Sequence, residues 1–282
     1  MADASRPELG RYGIWQSQFD LSPEIAQEIE RAGFGTVWIG ASPPGDLQLI
    51  EQLIAATDHL TVATGIVNMW ATDAGEVAKS YQRIEERHPG RFLLGVGIGH
   101  PEATQEYRDP YRTIVEYLDV LDAAGVPVQH RALAALGPKV LKLAAERTGV
   151  VHPYLVTPEY TRDARARLGA DAVLAPEHKV VLETDPDKAR ALGRGRVAMP
   201  YLHLSNYIAN LKRLGWSDSD VAPDGSDALI DALVAHGDVD TVVRGLTAHL
   251  DAGADHVSAQ IVVPEGADLV PGIRALGAAL PK

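Results

Sequence analysis

The chain has 282 residues, a formal net charge of −12 and no cysteine. Because phosphate binding needs a basic face, this charge argues against a nucleic-acid partner and against an anionic membrane surface. The lack of cysteine excludes disulfides, thiolate nucleophiles, iron–sulfur clusters and cysteine-ligated zinc. No apolar stretch is long enough to cross a bilayer, and MADASRPELG lacks the apolar core of a signal peptide, which predicts a cytoplasmic location.

A repeated junction between helix and strand organises the chain. At each junction a helix closes on a glycine, a short polar link follows and an apolar strand begins. The four clearest junctions are Ala32-Gly-Phe-Gly-Thr-Val37, Ala124-Gly-Val-Pro-Val128, Leu168-Gly-Ala-Asp-Ala-Val173 and Ala252-Gly-Ala-Asp-His-Val257. This rhythm is typical of repeated βα units and a parallel sheet.

In chain order, residues 1–9 are predicted to be a loose lead-in, and eight apolar segments follow that are typical of strands. The predicted strands are Tyr12–Trp15, Thr36–Ile39, Leu60–Val67, Phe92–Val96, Val128–Leu133, Gly149–Leu155, Lys179–Glu183 and His256–Val263. The predicted helices between them cover 22–32, 46–58, 74–88, 109–124, 138–147, 158–168, a longer helical stretch, and 268–279. The first helix has Ser22 as N-cap and Pro23 as its first residue.

Eight βα units in succession favour an α/β fold of the (β/α)8 TIM-like barrel type over an open doubly wound sheet. The long stretch Asp185–Ala252 is interpreted as a helical insertion between strands 7 and 8, with helix starts at Asp185-Pro186 and Gly237-Asp238. Since no linker rich in glycine, serine or proline interrupts the chain, residues 1–282 are predicted to form one domain.

The segment Arg91–His100, RFLLGVGIGH, is the most informative stretch for function. Phe92–Val96 is typical of a strand buried on both faces, and it then gives way to Gly97, Gly99 and His100. Glycine allows sharp turns and lets a ligand approach the main chain closely. In a barrel of this kind ligands bind at the C-terminal ends of the strands, so this segment predicts one edge of a binding site.

The residues at the predicted strand ends exclude several kinds of chemistry. They offer no pair of carboxylates for glycoside hydrolysis and no cluster with metal spacing, so no metal site is predicted. No lysine is found at a predicted strand end, which argues against Schiff-base chemistry. Glycines, aromatic rings, small polar groups and two histidines remain, and this lining suits a large planar cofactor that carries the reaction.

Three segments together resemble the luciferase-like monooxygenase superfamily, in particular its coenzyme F420-dependent oxidoreductases. They are Ala63-Thr-Gly-Ile-Val-Asn68, Pro89-Gly-Arg-Phe-Leu-Leu-Gly-Val-Gly-Ile-Gly-His100 and Leu136-Gly-Pro-Lys139, and the resemblance extends over residues 10–280. It implies a TIM-like barrel with an insertion that binds coenzyme F420 or FMN, acts on a small-molecule substrate and forms a homodimer. It also implies a cis peptide bond between Gly65 and Ile66, which would support the cofactor ring.

The resemblance implies a set of cofactor contacts in three groups. They are Gly65, Ile66 and Val67; Gly97, Ile98 and Gly99; and Ala135, Leu136, Gly137 and Pro138. Gly137 and Pro138 begin a predicted helix, whose free backbone N–H groups form an anion site, and the resemblance assigns the cofactor phosphate to it.

His100 is the candidate catalytic residue, because an imidazole can donate or remove a substrate proton near neutral pH. It matches a position at which related sugar-phosphate dehydrogenases carry a glutamate. The alternatives are that His100 only contacts the cofactor or caps a helix after Pro101.

Trp15, Ser42, Trp70 and His152 are predicted to line the substrate pocket, whereas Trp38 is assigned to the core. Tyr201, His203, Asn206 and Tyr207 in the insertion are predicted to cover the substrate, face solvent or form a dimer contact.

One departure from the family pattern affects the predicted reaction. Family members that oxidise alcohols or sugar phosphates have an Asp-His or similar pair after the second strand, where this chain has Ala41-Ser42. Reduction of an activated C=C bond or an imine therefore fits better than alcohol oxidation. The main hypothesis is F420-dependent hydride transfer, and the alternatives are an FMN-dependent monooxygenase and a cofactor-binding barrel without turnover.

Overall fold

The computed structural model describes residues 5–100 and 109–281, in which every strand pairing is parallel. The strands of this part of the chain are β1 Tyr12–Ser17, β2 Thr36–Gly40, β3 Thr61–Thr64, β4 Val67–Asn68, β5 Phe92–Gly97, β6 Arg131–Leu133, β7 Val150–Val151, β8 Val173–Leu174, β9 Glu177–Val181, β10 Val234–His236 and β11 Val257–Ile261. The helices are α1 Pro23–Arg31, α2 Gln48–Ala55, α3 Ala74–Arg87, α4 Pro110–Ala123, α5 Pro138–Arg147, α6 Pro158–Leu168, α7 Pro186–Ala198, α8 Ser205–Arg213, α9 Asp227–Leu233, α10 Val239–Asp251 and α11 Val270–Ala279.

The sheet is curled, so that strands near the two ends of its order approach each other. The order is β10-β9-β11-β1-β2-β3-β5-β6-β7-β8, and β4 pairs with β5. Strands β8 and β9 lie near opposite ends of this order, yet only Ala175 and Pro176 separate them in the chain. The amide of Ala175 donates to Val151 of β7, and the carbonyl of Pro176 accepts from Ser258 of β11. This short segment therefore brings the two ends of the sheet together.

The predicted strands correspond to observed ones, with four corrections at their boundaries. The segment predicted as Lys179–Glu183 is β9 Glu177–Val181, and β8 precedes it. The segment predicted as Leu60–Val67 divides into β3 and β4 around a bend at Gly65 and Ile66. Only Val150–Val151 of the predicted sixth strand belongs to the sheet, and the chain beyond it turns, with Leu155 at a left-handed φ of 55°. The predicted fifth strand begins with a single 3-10 turn, Val128–His130, before β6.

Several helix starts were predictable because the residue before the helix has a side chain that accepts hydrogen bonds from the free backbone N–H groups of the first turn. Ser22 caps α1 through Ile25, Asp185 caps α7, and Asp238 caps α10 through Thr241. The stretch between β9 and β11 contains α7, α8, α9 and α10. It also contains β10, which was not predicted and which pairs with β9.

Two apolar layers flank the sheet. The larger lies between the strands and the helices, and the smaller consists of inward side chains. The inner layer contains Leu9, Trp15, Trp38, Ala63, Leu93, Ala132, Val150 and Ala175. Leu9 is 6% exposed, so the end of the predicted loose lead-in in fact closes the base of the inner layer. Among the described residues no helix has the length and apolar character to span a membrane.

Candidate functional site

The ends of β1, β3 and β7 meet at Gly65. The peptide bond between Gly65 and Ile66 is cis, as the resemblance implied. A Cβ atom added to Gly65 would lie 2.7 Å from Nε1 of Trp15 and 3.4 Å from Nε2 of His152. Glycine at this position therefore allows two predicted pocket residues to approach the main chain, because a larger residue would meet the indole.

The glycines after β5 lie beside the same bend. A Cβ atom on Gly97 would lie 2.9 Å from the side chain of Ile66 and 3.0 Å from that of Ala134. A Cβ atom on Gly99, whose φ is +66°, would lie 2.9 Å from Nδ2 of Asn68. The structure thus brings Gly65, Ile66, Gly97 and Gly99 together at the rim, whereas the fully buried side chain of Val67 packs in the outer layer.

A series of aromatic rings connects the buried floor of this rim to His100. The ring of Trp15 lies 5.1 Å from that of Tyr154, measured between centroids. Tyr154 is 6.4 Å from Tyr207, and Tyr207 is 5.4 Å from the imidazole of His100. His100 and Trp15 therefore belong to one aromatic wall. The proposed capping of a helix after Pro101 lies outside the described residues.

The floor of the site is a stack of two rings inside the curled sheet. Trp38 and His152 are parallel within 3°, with ring centroids 3.9 Å apart. Trp38 donates through Nε1 to His256, and Nδ1 of His152 lies 2.7 Å from the carbonyl oxygen of Ala175. Burial lowers the pKa of His152 to about 4, so its imidazole is neutral at physiological pH. Trp38 belongs to the core, as predicted, and His152 is held with one ring nitrogen toward Gly65.

The third predicted group of cofactor contacts surrounds the start of α5. Tyr160 donates its hydroxyl to the carbonyls of Ala135 and Leu136, which fixes the loop after β6. Gly137 is the N-cap residue and Pro138 the first helical residue, with no side-chain cap. A Cβ atom on Gly137 would have no neighbour within 4 Å. The first-turn N–H groups of α5 are therefore left without a side-chain cap, and uncapped N–H groups of this kind can bind an anion.

The two remaining predicted pocket residues follow β2 and β4. Ser42 lines a cavity of about 480 Å3 together with Asn68, Thr72 and other residues of the loops around α2 and α3, and Trp15 and His152 are not in that lining. The backbone N–H of Trp70 donates to Oδ1 of Asn68, 2.9 Å away. A volume of this size lies within the range of small-molecule sites.

Sequence reasoning missed a buried ion pair on β9. Lys179 donates to Oε1 of Glu177 over 3.1 Å, and both residues are at most 1% exposed. The ammonium of Lys179 lies 4.1 Å from the centroid of the Tyr154 ring. The prediction concerned lysines at strand ends, and Lys179 lies in the middle of β9, but its ammonium reaches Tyr154 at the wall of the site. The strand was assigned two residues too late, whereas the i, i+2 spacing of Glu177 and Lys179 could have revealed their shared face.

Burial acts on both members of this pair. It raises the pKa of Glu177 and lowers the pKa of Lys179, while the attraction between the two opposes each shift. Glu177 also accepts a hydrogen bond from the backbone N–H of Leu155. Together the two residues hold the Pro153–Leu155 loop, and with it Tyr154, against the wall of the site.

The predicted stretch around Tyr201 and Tyr207 does not form one helix. Tyr201–His203 is a 3-10 turn, and α8 begins at Ser205. The rings of Tyr201 and Tyr207 nevertheless lie 5.1 Å apart and both approach Tyr154, whereas His203 is exposed. The tyrosines thus pack over the buried pair, and His203 points away from it.

The comparison with protein families finds one match. Residues 6–132 match the family model described as luciferase-like monooxygenase. This confirms the resemblance for the part of the chain that contains β1 to β5 and the first two of the three sequence motifs. No curated protein matches the chain by sequence.

Solved structures resemble the chain over almost its whole length. An F420-dependent secondary alcohol dehydrogenase, in complex with an F420-acetone adduct, has a TM-score of 0.75 at 16% identity, covering 96% of this chain and 98% of its own. The F420-dependent tetrahydromethanopterin reductase of Methanopyrus kandleri has a TM-score of 0.69 at 18% identity, covering 98% and 99%. The FMN-bound oxygenating constituent of 3,6-diketocamphane monooxygenase from Pseudomonas putida has a TM-score of 0.67 at 17% identity, covering 95% and 96%. At these identities the likeness shows a shared fold.

The buried histidines predict a stability that depends on pH. Burial lowers the pKa of His152, His178 and His256 to about 4, against about 6.5 in an unfolded chain. The folded state resists protonation, so the stability is full above about pH 6.5 and falls toward pH 4, by up to about 3 kcal/mol per histidine. Urea unfolding should show this loss between about pH 6.5 and pH 5, where carboxylates remain ionised.

A variant of the exposed His59 is the control for this measurement. His59→Gln should reproduce the same decline, because the exposed side chain of His59 lies outside the buried interior. A free energy of unfolding that stays constant over that pH range would contradict the account of the buried imidazoles.

Proposed function

We propose that this relative of the luciferase-like monooxygenases is an oxidoreductase that transfers a hydride between coenzyme F420 and a small organic substrate. The observation that carries the proposal is the convergence of Gly65, Gly97, Gly99 and His100 at one rim, beside the buried Trp15 and His152. In this proposal the curled sheet is the eight-stranded (β/α)8 barrel expected from the sequence, with Val173–Val181 as its seventh strand and 185–252 as an insertion.

The residues of the rim fit a planar redox ring. Gly65, Gly97 and Gly99 let neighbouring side chains pack directly against the main chain, and the half-buried Ile66 and Ile98 supply apolar walls. When bound, a deazaflavin or flavin supplies the hydride-transfer chemistry. The role of the chain is to hold the ring on these surfaces, exclude water with the aromatic wall and orient the substrate.

The start of α5 supports a second contact, to the cofactor phosphate. Ala135, Leu136, Gly137 and Pro138 form the approach, and the first-turn N–H groups of Lys139 and Val140 are the donors. The exposed ammonium of Lys139 adds a positive charge, which matters for an anionic cofactor on a chain of net charge −12.

His100 is proposed as the proton-transferring residue, because it ends the glycine segment and its ring packs against Tyr207. Substituting His100→Asn is expected to lower turnover by about 100-fold, the usual contribution of a general acid or base. Cofactor binding should be retained, because asparagine still fits the rim. Normal turnover in this variant would show that His100 does not transfer the proton and only lies beside the cofactor.

The alternative is an FMN-dependent monooxygenase, and the likeness to the FMN-bound constituent from Pseudomonas putida supports keeping it. A third hypothesis is a barrel that binds the cofactor without catalysing a reaction, because this chain has Ala41-Ser42 where the family has its acid–base pair. Assays of the reduced cofactor with enones, imines and aldehydes distinguish turnover from binding alone.

The resemblance also supports a proposal about assembly. We propose a cytoplasmic homodimer in which residues 1–282 form one domain. Analytical ultracentrifugation tests the assembly directly, and a monomer at micromolar concentration would contradict it.

Cofactor titration tests the proposed function. Quenching of cofactor fluorescence by the purified protein is expected with F420 and not with FMN. Substituting Gly137→Glu should weaken F420 binding about tenfold, because it sets a carboxylate beside the phosphate site, at a position where a Cβ meets nothing within 4 Å. The matched control is Gly195→Glu, since Gly195 is exposed on α7 and also has open space around it. Tight binding of FMN alone would favour the monooxygenase, and binding of neither would overturn the proposal.

A further inference from the structure

The cavity between the loops after β2 and β4 and helix α3 has an acidic lining. Its volume is about 480 Å3, and the carboxylates of Asp46 and Glu76 belong to its wall. None of the described residues that line it is a lysine, an arginine or a histidine. Asn68 also lines the cavity, and its Nδ2 would lie 2.9 Å from a Cβ atom on Gly99. The cavity is therefore negatively charged and adjoins the glycine segment of the rim.

The two carboxylates are not neutralised by the arginine that holds this loop. Arg83 donates to the backbone carbonyl of Asp46, but its charge is balanced by Glu51, whose carboxylate lies 3.1 Å from Nε of Arg83. The side chain of Asp46 accepts only from the backbone N–H of Gln48, 3.2 Å away. Within residues 5–100 and 109–281, neither Asp46 nor Glu76 forms an ion pair. Two negative charges at this cavity therefore lack a partner cation in the described chain.

The hydroxyl of Ser80 is a second and independent sign of a ligand. Ser80 is only 5% exposed and lines the same cavity. It follows Glu76 by one turn of α3, so the two side chains share one face of the helix. The Ser80 hydroxyl has no hydrogen-bond partner among the described residues. A buried polar group without a partner costs stability, so this oxygen marks a place where a polar ligand binds.

The chemistry of the wall favours an organic cation. The N–H groups at the start of α3 are already capped by Asp73, so this helix end offers no site for an anion. The described residues contain no group of three or more histidine, aspartate or glutamate side chains that could hold a metal ion. A protonated primary amine has one positive charge and three N–H donors, which match two carboxylates and a hydroxyl oxygen.

We propose that this cavity binds the ammonium group of a small organic amine. Asp46 and Glu76 supply the opposite charge, and the hydroxyl oxygen of Ser80 accepts a hydrogen bond from the ammonium. The uncharged part of the amine extends past Asn68 toward the rim, so the substrate is an amine or a compound that carries one. Only this assignment of the amine to the substrate rests on the proposed function.

The test is a titration of cofactor-free, 15N-labelled protein with cyclohexylamine hydrochloride and, separately, with cyclohexanol, which has the same ring without the charge. The amine should shift the backbone amide signals of Thr72, Glu76 and Ser80. It should bind about tenfold more tightly than the alcohol, as a charge-assisted hydrogen bond would give. About 1 M salt should remove most of this preference, because it shortens the Debye length to about 3 Å.

Two variants separate the charge from the hydroxyl. Glu76→Gln should weaken binding of the amine about fivefold and leave binding of cyclohexanol unchanged, because it removes one charge near the ammonium. Ser80→Ala should weaken it by a similar factor through the lost hydrogen bond. The matched control is Glu86→Gln, since Glu86 is exposed on the same helix and lies outside the cavity wall, while the change in net charge is identical.

Thermal unfolding checks that each variant is folded, and the exposed Glu76 keeps the test informative if Ser80→Ala is unstable. Equal affinity for the amine and the alcohol would overturn the inference. An equal loss in Glu86→Gln and Glu76→Gln would overturn it too, because the amine would then respond to net charge alone. Displacement of the amine by MgCl2 at constant ionic strength would identify a metal site instead. Because no cofactor is present, each of these failures is distinguishable from failure of the cofactor titration.

Discussion

The stack of Trp38 on His152 inside the curled sheet is the contact on which the rest of the site depends. It fills the interior between β2 and β7, where both rings are almost fully buried. Each ring is also fixed by one hydrogen bond, to His256 and to Ala175. Since a packed interior tolerates little displacement, these contacts determine which atom of His152 faces Gly65.

Desolvation governs the electrostatics above this floor. The histidines of the interior are held neutral, and the charges of Glu177 and Lys179 are balanced within one strand. Removing one partner of the pair would leave an uncompensated buried charge beside Tyr154, which would destabilise the wall of the site. A neutral interior below a glycine-lined rim suits hydride transfer, in which the main requirement is an ordered site without water.

Local signals in the sequence were sufficient for most of the fold and for part of the site. Capping residues such as Ser22, Asp185 and Asp238 marked helix starts, because capping depends on neighbours within one turn. The glycine segment that ends at His100 marked a strand end, because the turn depends on the local backbone freedom of glycine. The sequence assigned Trp15, Gly65 and His152 to one end of the barrel, but their close approach was not predictable, because it depends on the register of three strands far apart in the chain. The pairing of Lys179 with Glu177 was missed because Glu177 was left outside the predicted strand, so their shared face was not recognised.

A crystal structure of the protein soaked with F420 tests the central claim most directly. The account predicts electron density for the ring against Gly65, Ile66 and Gly97, with the phosphate at the first turn of α5. Density for the ring in the cavity lined by Ser42 and Thr72, or a phosphate bound away from Gly137, would contradict it.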